Sequence, residues 1–168
     1  NFLRSKDGDK WRLSPQGFFW RGFLNDPDTG MTWLKEELET LDPATGRVAS
    51  SGADNRVALS HPDGSSRWLD RPPTRARTLA FAPDPSQLYG GGWFQLYRWD
   101  TRSGALEVLD TEHEGIIQHI RFLQQPDQLA SISRQTDSSV LILDPANGST
   151  REFIGRHELC GNYVEVSP

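Results

Sequence analysis

The sequence predicts an all-β protein assembled from repeats of one four-stranded unit, and three observations carry that expectation. The first is composition: 168 residues hold six Trp, eight Phe and three Tyr against one Met, with fifteen Gly and eleven Pro. Aromatic side chains suit pleated, half-buried surfaces, and so many turn formers suit many short strands. The second is a recurring pattern of alternating apolar residues running into a proline, in "LETLDPATGRV", "TLAFAPDPSQL", "IRFLQQPDQLA" and "YVEVSP". The third is spacing, since Pro43, Pro83, Pro126 and Pro168 stand 40, 43 and 42 residues apart. A period of about 40–45 residues is that of one four-stranded blade of a β-propeller.

The elements follow in order. "GFFWRGF" and "MTWL" flank the turn sequence "NDPDTG" and predict a hairpin from an incomplete first blade over residues 1–35. "KEELETL" has helix-forming composition, but it is too short before Pro43 to hold a helix and reads as strand. A blade over 36–76 continues through "RVASSG", "RVALS", the turn "HPDGS" and "SRWLD". Reading "TWLKEELETLDPATG" as a third strand entering its turn would leave Pro62 and Pro83 half a blade apart, so the even period is preferred. The second blade, 77–117, runs "TLAF", "QLYGGG", "FQLYRWD", "DTRSG" and "ALEVLD". The third, 118–158, runs "IRFL", "QLASIS", "SVLILD", "DPANGS" and "TREFI". Residues 159–168 read as the first strand of a following blade or as a ring-closing strand. The turns are rich in Gly, Asp and Asn, which supply positive φ or bond back to their own backbone.

At Trp99-Asp100, preceded by "LAFAPD" and "LYGGG", the chain resembles the WD-repeat β-propeller family over about residues 36–168. The resemblance implies that Pro43, Pro83, Pro126 and Pro168 mark the first-strand corners. It implies that Trp99 and Asp100 end a third strand, that Asp144 is their counterpart in "LD", and that His157 stands near the family's Gly-His position. The repeats are degenerate, because one blade alone carries Trp-Asp. The family's buried His–Ser/Thr–Asp–Trp network is present in pieces, as His113, Ser133 and Asp137 without the Trp, which points to apolar packing as the main support of these blades. Three and a fraction blades leave two arrangements, a closed four-bladed ring or part of a larger, seven- or eight-bladed propeller, and the second is preferred.

Chemistry is sparse. A net charge of −5 argues against a nucleic-acid binder. No apolar run is long enough to span a membrane, and no secretory segment is visible, which leans towards a cytoplasmic location without fixing it. The single Cys160 excludes a disulfide framework and reads as a buried small apolar residue rather than a reactive thiol. His113-Glu114 and His157-Glu158 lack metal-site spacing, and "GGG" at 90–92 leads into a strand, so it reads as a turn or a close backbone approach rather than a phosphate loop. No catalytic residue, metal or cofactor is expected.

What remains is surface. Arg67, Arg71, Arg75 and Arg77 surround Pro72-Pro73 in an otherwise acidic chain and form a candidate contact for an acidic partner. Trp20, within "FFWRGF", and Trp93 are candidate contact aromatics, with blade packing as the competing role. The leading functional expectation is a non-catalytic scaffold binding another protein, or another domain of the same parent chain, through loops and ring faces. An open ring would also admit a second copy of the chain. The alternatives are an enzyme or ligand-binding propeller with a site over the central channel, and a sensor propeller of a multidomain signalling protein.

Overall fold

Short turns closed by side chains set the strand lengths. Asp42, Asp54, Asp63, Asp84, Asp100 and Asp144 each accept a bond from the backbone N–H two residues on, at 2.8–3.1 Å. Each carboxylate thereby replaces a ladder partner and turns the chain back on itself. The computed structural model describes residues 18–25, 32–42, 44–125, 127–158 and 160–166, with the backbone alone over 18–25 and 32–39. Among these residues there are thirteen strands and no helix.

The strands form three antiparallel sheets in which chain neighbours are sheet neighbours. The first holds β1 (Phe18–Asn25), β2 (Thr32–Leu41), β3 (Val48–Ser51), β4 (Val57–Ser60) and β5 (Ser66–Trp68). The second holds β6 (Thr78–Phe81), β7 (Gln87–Gly91), β8 (Gln95–Asp100) and β9 (Leu106–Asp110). The third holds β10 (Ile116–Phe122), β11 (Leu129–Arg134), β12 (Ser139–Leu143) and β13 (Thr150–Arg156). "KEELETL" lies in β2, where ladders to β1 and β3 on both sides override its weak helical preference. The N-terminal hairpin is there as β1 and β2, but β2 runs on past residue 35 into the ladder with β3, so hairpin and first repeat share one sheet. Pro43, Pro126 and Pro168 lie outside the described residues.

The second sheet is buried on both faces. Leu79, Leu88, Tyr97 and Trp99 meet Ala49, Val57 and Leu59 of the first sheet in one core. Ala80, Tyr89, Leu96 and Leu109 meet Ile117, Ile120, Leu129, Leu141 and Leu143 of the third in another. Successive side chains of a strand point to opposite faces, so a doubly covered strand reads as an unbroken apolar run, as "LAF" and "LY" do here. The first strands lie in series: β6 packs on β2 and β3, and β10 packs on β6 and β7.

One contact recurs at each seam. Ser51, Gly91 and Ile132 each stand three residues beyond the apolar residue Val48, Leu88 or Leu129 on the second strand of its four-stranded repeat. Ser51 Oγ donates to the Ala76 carbonyl at 2.7 Å, just before β6. Gly91 lies so close under β10 that an added Cβ would fall 2.6 Å from Ile117 Cγ2. Ile132 touches Gly161, where an added Cβ would be 2.6 Å from its Cδ1. The strand expected in "NYVEVSP" is not formed over the described residues 160–166. Side chains hold that segment on β10 instead of a backbone ladder: Tyr163 stacks on His119 at 4.1 Å, and His119 Nδ1 lies 3.0 Å from the Val164 carbonyl.

Trp99 joins the layers most directly. It is fully buried, meets Tyr97 edge-on at 5.8 Å, and its indole N–H donates to the Asp70 carbonyl at 2.8 Å. Trp99→Ala therefore removes a large ring from the first core and orphans a carbonyl, at an expected cost of about 3–5 kcal/mol in urea unfolding.

Candidate functional site

The turns gather at two ends. One end carries the β3–β4, β7–β8 and β11–β12 turns with the β5–β6 and β9–β10 connections; the other carries the β2–β3, β4–β5, β6–β7, β8–β9, β10–β11 and β12–β13 turns. The 69–77 connection at the first end is anchored from within. Leu69, Pro72 and Ala76 are buried, Trp99 holds the Asp70 carbonyl, and the Thr74 hydroxyl lies 2.6 Å from Tyr97 Oη. Arg71 is exposed and donates to the Asp54 carbonyl in the β3–β4 turn at 2.7 Å. Arg75 and Arg77 ride on the same connection, half-buried, and the Arg77 N–H donates to the Gly91 carbonyl at 2.7 Å.

Trp93 and Phe94 form the adjoining β7–β8 turn. They are 38% and 45% exposed and meet edge-on at 5.4 Å. Their backbone is fixed on every side: Gly92 N–H to Gln95 O, Trp93 N–H to Thr74 Oγ1, Phe94 N–H to Gly115 O, and Thr111 N–H and Oγ1 to Phe94 O. Gly92 permits the turn, because a Cβ there would fall 2.3 Å from Tyr97 Oη. Residues 90–92 thus end β7 and open this turn, with no helix behind them to hold a phosphate.

The structure parts Arg67 from the other three arginines. Its guanidinium donates to Thr101 O, and to Arg102 O at 2.8 Å, in the β8–β9 turn at the opposite end. There it pins first sheet to second, a packing role that spacing alone conceals. Trp20 lies on β1 in register with Glu37, and only its backbone is described. Trp99 is core, while Asp100 and Asp144 close their turns. His157 is exposed, and its N–H donates to Ser138 O at 3.0 Å.

The third sheet holds a polar network that sequence reading recovered only in part. His113 Nε2 lies 2.8 Å from Ser131 Oγ, and its Nδ1 lies 3.0 Å from Asp137 Oδ2 and 2.9 Å from Ser139 Oγ. Asp137 Oδ2 also accepts from Ser133 Oγ at 2.7 Å, Ser139 Oγ at 2.6 Å and Glu114 N–H at 3.1 Å, while Arg156 reaches Oδ1 at 3.1 Å. The network is closed by Ser131 and Ser139 rather than left in pieces for want of a Trp. Its sequence signal is the alternation of Ser131 and Ser133, which puts both hydroxyls on one face of β11. Burial pushes the His113 pKa down, only partly offset by Asp137, so the ring is neutral at pH 7. Burial acts to raise the Asp137 carboxyl, but the bonds from Ser139, Ser133 and His113 outweigh it and hold it well below the ordinary carboxylate range. Ser, His and Asp are together here, yet the His113 and Asp137 side chains are 0% and 2% exposed, so a substrate does not reach them. Their work is to order the turn.

Other candidates are weaker. Cys160 is exposed rather than buried, and its thiol is held below the usual range by the Gln135 backbone and Arg134. At the other end a cleft of about 420 Å³ opens between the first two sheets, lined by Arg47, His61, Asp84 and Arg102 among others. Arg47 is already committed to Asp42 and to Thr101 Oγ1, 3.1 Å away. Among the described residues no three His, Cys, Asp or Glu side chains converge on a metal-sized space, and no helix is long and apolar enough to cross a membrane.

No protein-family model matches the chain, and no curated protein matches it in sequence. Among solved structures it resembles hydrazine synthase of Kuenenia stuttgartiensis, with a TM-score of 0.61 and 13% identity, over 78% of this chain. The match spans 42% of that chain, so this protein corresponds to less than half of it. As 255 solved chains show such a likeness, it speaks to fold and not to chemistry.

Two outcomes follow. Asp137→Ala leaves buried hydroxyls, an N–H and His113 without their acceptor, and should cost about 3–5 kcal/mol by urea unfolding. His119 is the second. Burial above all, with Arg121 beside it, lowers its pKa to about 4, against the opposing pull of the Val164 carbonyl and Glu165. An unfolded histidine takes its proton near pH 6.5, so the stabilisation is whole above that pH and is lost as pH falls towards 4. Stability should drop by about 3 kcal/mol from this group between pH 7 and 4, and urea midpoints of His119→Phe should lack that component.

Proposed function

We propose that the chain is a β-propeller of WD-repeat kind, or a part of one, that serves as a non-catalytic scaffold. It binds another protein, or another domain of its parent chain, through the loops at its ends. The observation that carries the reading is the serial packing of the first strands β2, β6 and β10 between sheets stacked face to face. In a propeller that arrangement puts each first strand innermost and collects the variable turns on two faces, where they are free to become binding surface. The buried His, Ser and Asp groups support a scaffold over an enzyme, because each is engaged in holding a turn.

The test is affinity purification of the full chain with quantitative mass spectrometry, comparing wild type with one double variant at each end. Arg71→Glu with Arg75→Glu alters the end bearing the β7–β8 turn, and Ala44→Lys with Arg102→Glu alters the other. A stoichiometric protein partner should be lost with one pair while the thermal midpoint holds. Partners indifferent to both pairs would overturn the scaffold reading.

A further inference from the structure

We propose that Trp93 and Phe94 are the anchor of a docking site for a peptide segment of another protein. That segment carries a large apolar side chain flanked by carboxylates, and Arg71 and its neighbours on the 69–77 connection form the charged rim. The proposal rests on the scaffold reading and adds to it a site and a partner chemistry.

The starting point is backbone conformation. Phe94 sits at φ +58°, a left-handed region that costs an L-residue with a bulky side chain and that Gly or Asn adopts freely. The equivalent turn of the first sheet meets the same demand with Asn55, at φ +63°. Where a suitable residue solves the geometry in one repeat, an exposed phenylalanine in the next is a departure that packing does not explain. The ring keeps nearly half of its surface in solvent, and the hydrogen bonds around it fix the backbone whatever the side chain. Strain that surrounding bonds over-determine collects at functional surfaces.

What the turn achieves is display. Two large rings are held edge-to-face on a backbone bonded to the 69–77 and β9–β10 connections, so presenting them costs a ligand little ordering. Aromatic rings on a rigid mount, rimmed by arginine, are the composition of interface hot spots. Thr74 ties Trp93 to the connection that carries the arginines, so ring and charge belong to one surface. The same composition could stack bases, but a nucleic acid brings a charge with every phosphate and would set some of them against Glu112 and Glu114 on the adjoining connection, whereas a peptide can confine its carboxylates to the arginine side. A carboxylate-bearing peptide meets both the rings and the arginines.

The experiment is selection of phage-displayed random peptides on the immobilised full chain, with counter-selection on Phe94→Gly. Expected winners combine an aromatic or large aliphatic residue with two or more Asp or Glu. The synthetic consensus peptide should bind at least about tenfold more weakly to Phe94→Gly and to Trp93→Ala. Its affinity for wild type should fall with salt and with Arg71→Glu. Phe94→Gly also separates function from structure, because it relieves the left-handed backbone and should leave the thermal midpoint level or raise it by about 2 °C. Winners without acidic residues, equal binding to Phe94→Gly, no enrichment, or tighter binding of an oligothymidylate would each overturn the proposal. So would a fall in midpoint beyond about 4 °C for Phe94→Gly, which would make Phe94 a packing residue. If the partner purified above depends only on the opposite end, this site fails and the scaffold stands; if it depends on neither, the scaffold itself fails.

Discussion

Burial of the second sheet on both faces is the constraint from which the remaining arrangement descends. In β8, Leu96 faces the third sheet while Tyr97 and Trp99 face the first. Each outer sheet can then satisfy one apolar face against this middle layer and leave its far face for other uses. Arg98 shares the side of the third sheet with Leu96, and it escapes burial by reaching Glu107 and the Ala146 carbonyl, 3.2 Å away. The charge that would have spoiled the core becomes a clasp across it.

Both seams use this device at one end. Arg67 spans first sheet to second by bonding turn carbonyls, and Arg98 spans second to third in the same way. Carbonyls exposed at a tight turn have lone pairs to spare, and a planar guanidinium can reach several at once. Arginine in this chain is thus first a structural residue. That changes how the cluster around Pro72-Pro73 is understood: proximity in sequence gathered four arginines, but strand direction sends Arg67 to the end opposite the 69–77 connection.

Period and alternation were legible because they follow from geometry that every repeat must obey. Three of the apolar segments end strands, β2 at Leu41, β6 at Phe81 and β10 at Phe122, and Trp99-Asp100 ends β8. Residues whose roles depend on a partner far along the chain were not legible. Ser131 and Ser139 look like ordinary polar positions until His113 is folded over them from 18 and 26 residues away. Cys160 read as apolar filler, yet Gly161 beside it takes the buried place against Ile132, since only a residue without Cβ fits there. "NYVEVSP" alternates like a strand, but alternation describes side-chain facing and not the ladder a strand requires. The left-handed backbone at Phe94 left no trace in sequence at all, since nothing about an aromatic residue announces it.

The contact repeated at Ser51, Gly91 and Ile132 has a bearing on how the molecule is made. Each second strand touches the stretch of chain that comes immediately after its own sheet, so every sheet carries the seat for its successor. A ribosome delivers the chain in that same order. Each seat is therefore synthesised before the segment that occupies it, so registration can be handed forward along the nascent polypeptide instead of being searched for among completed pieces.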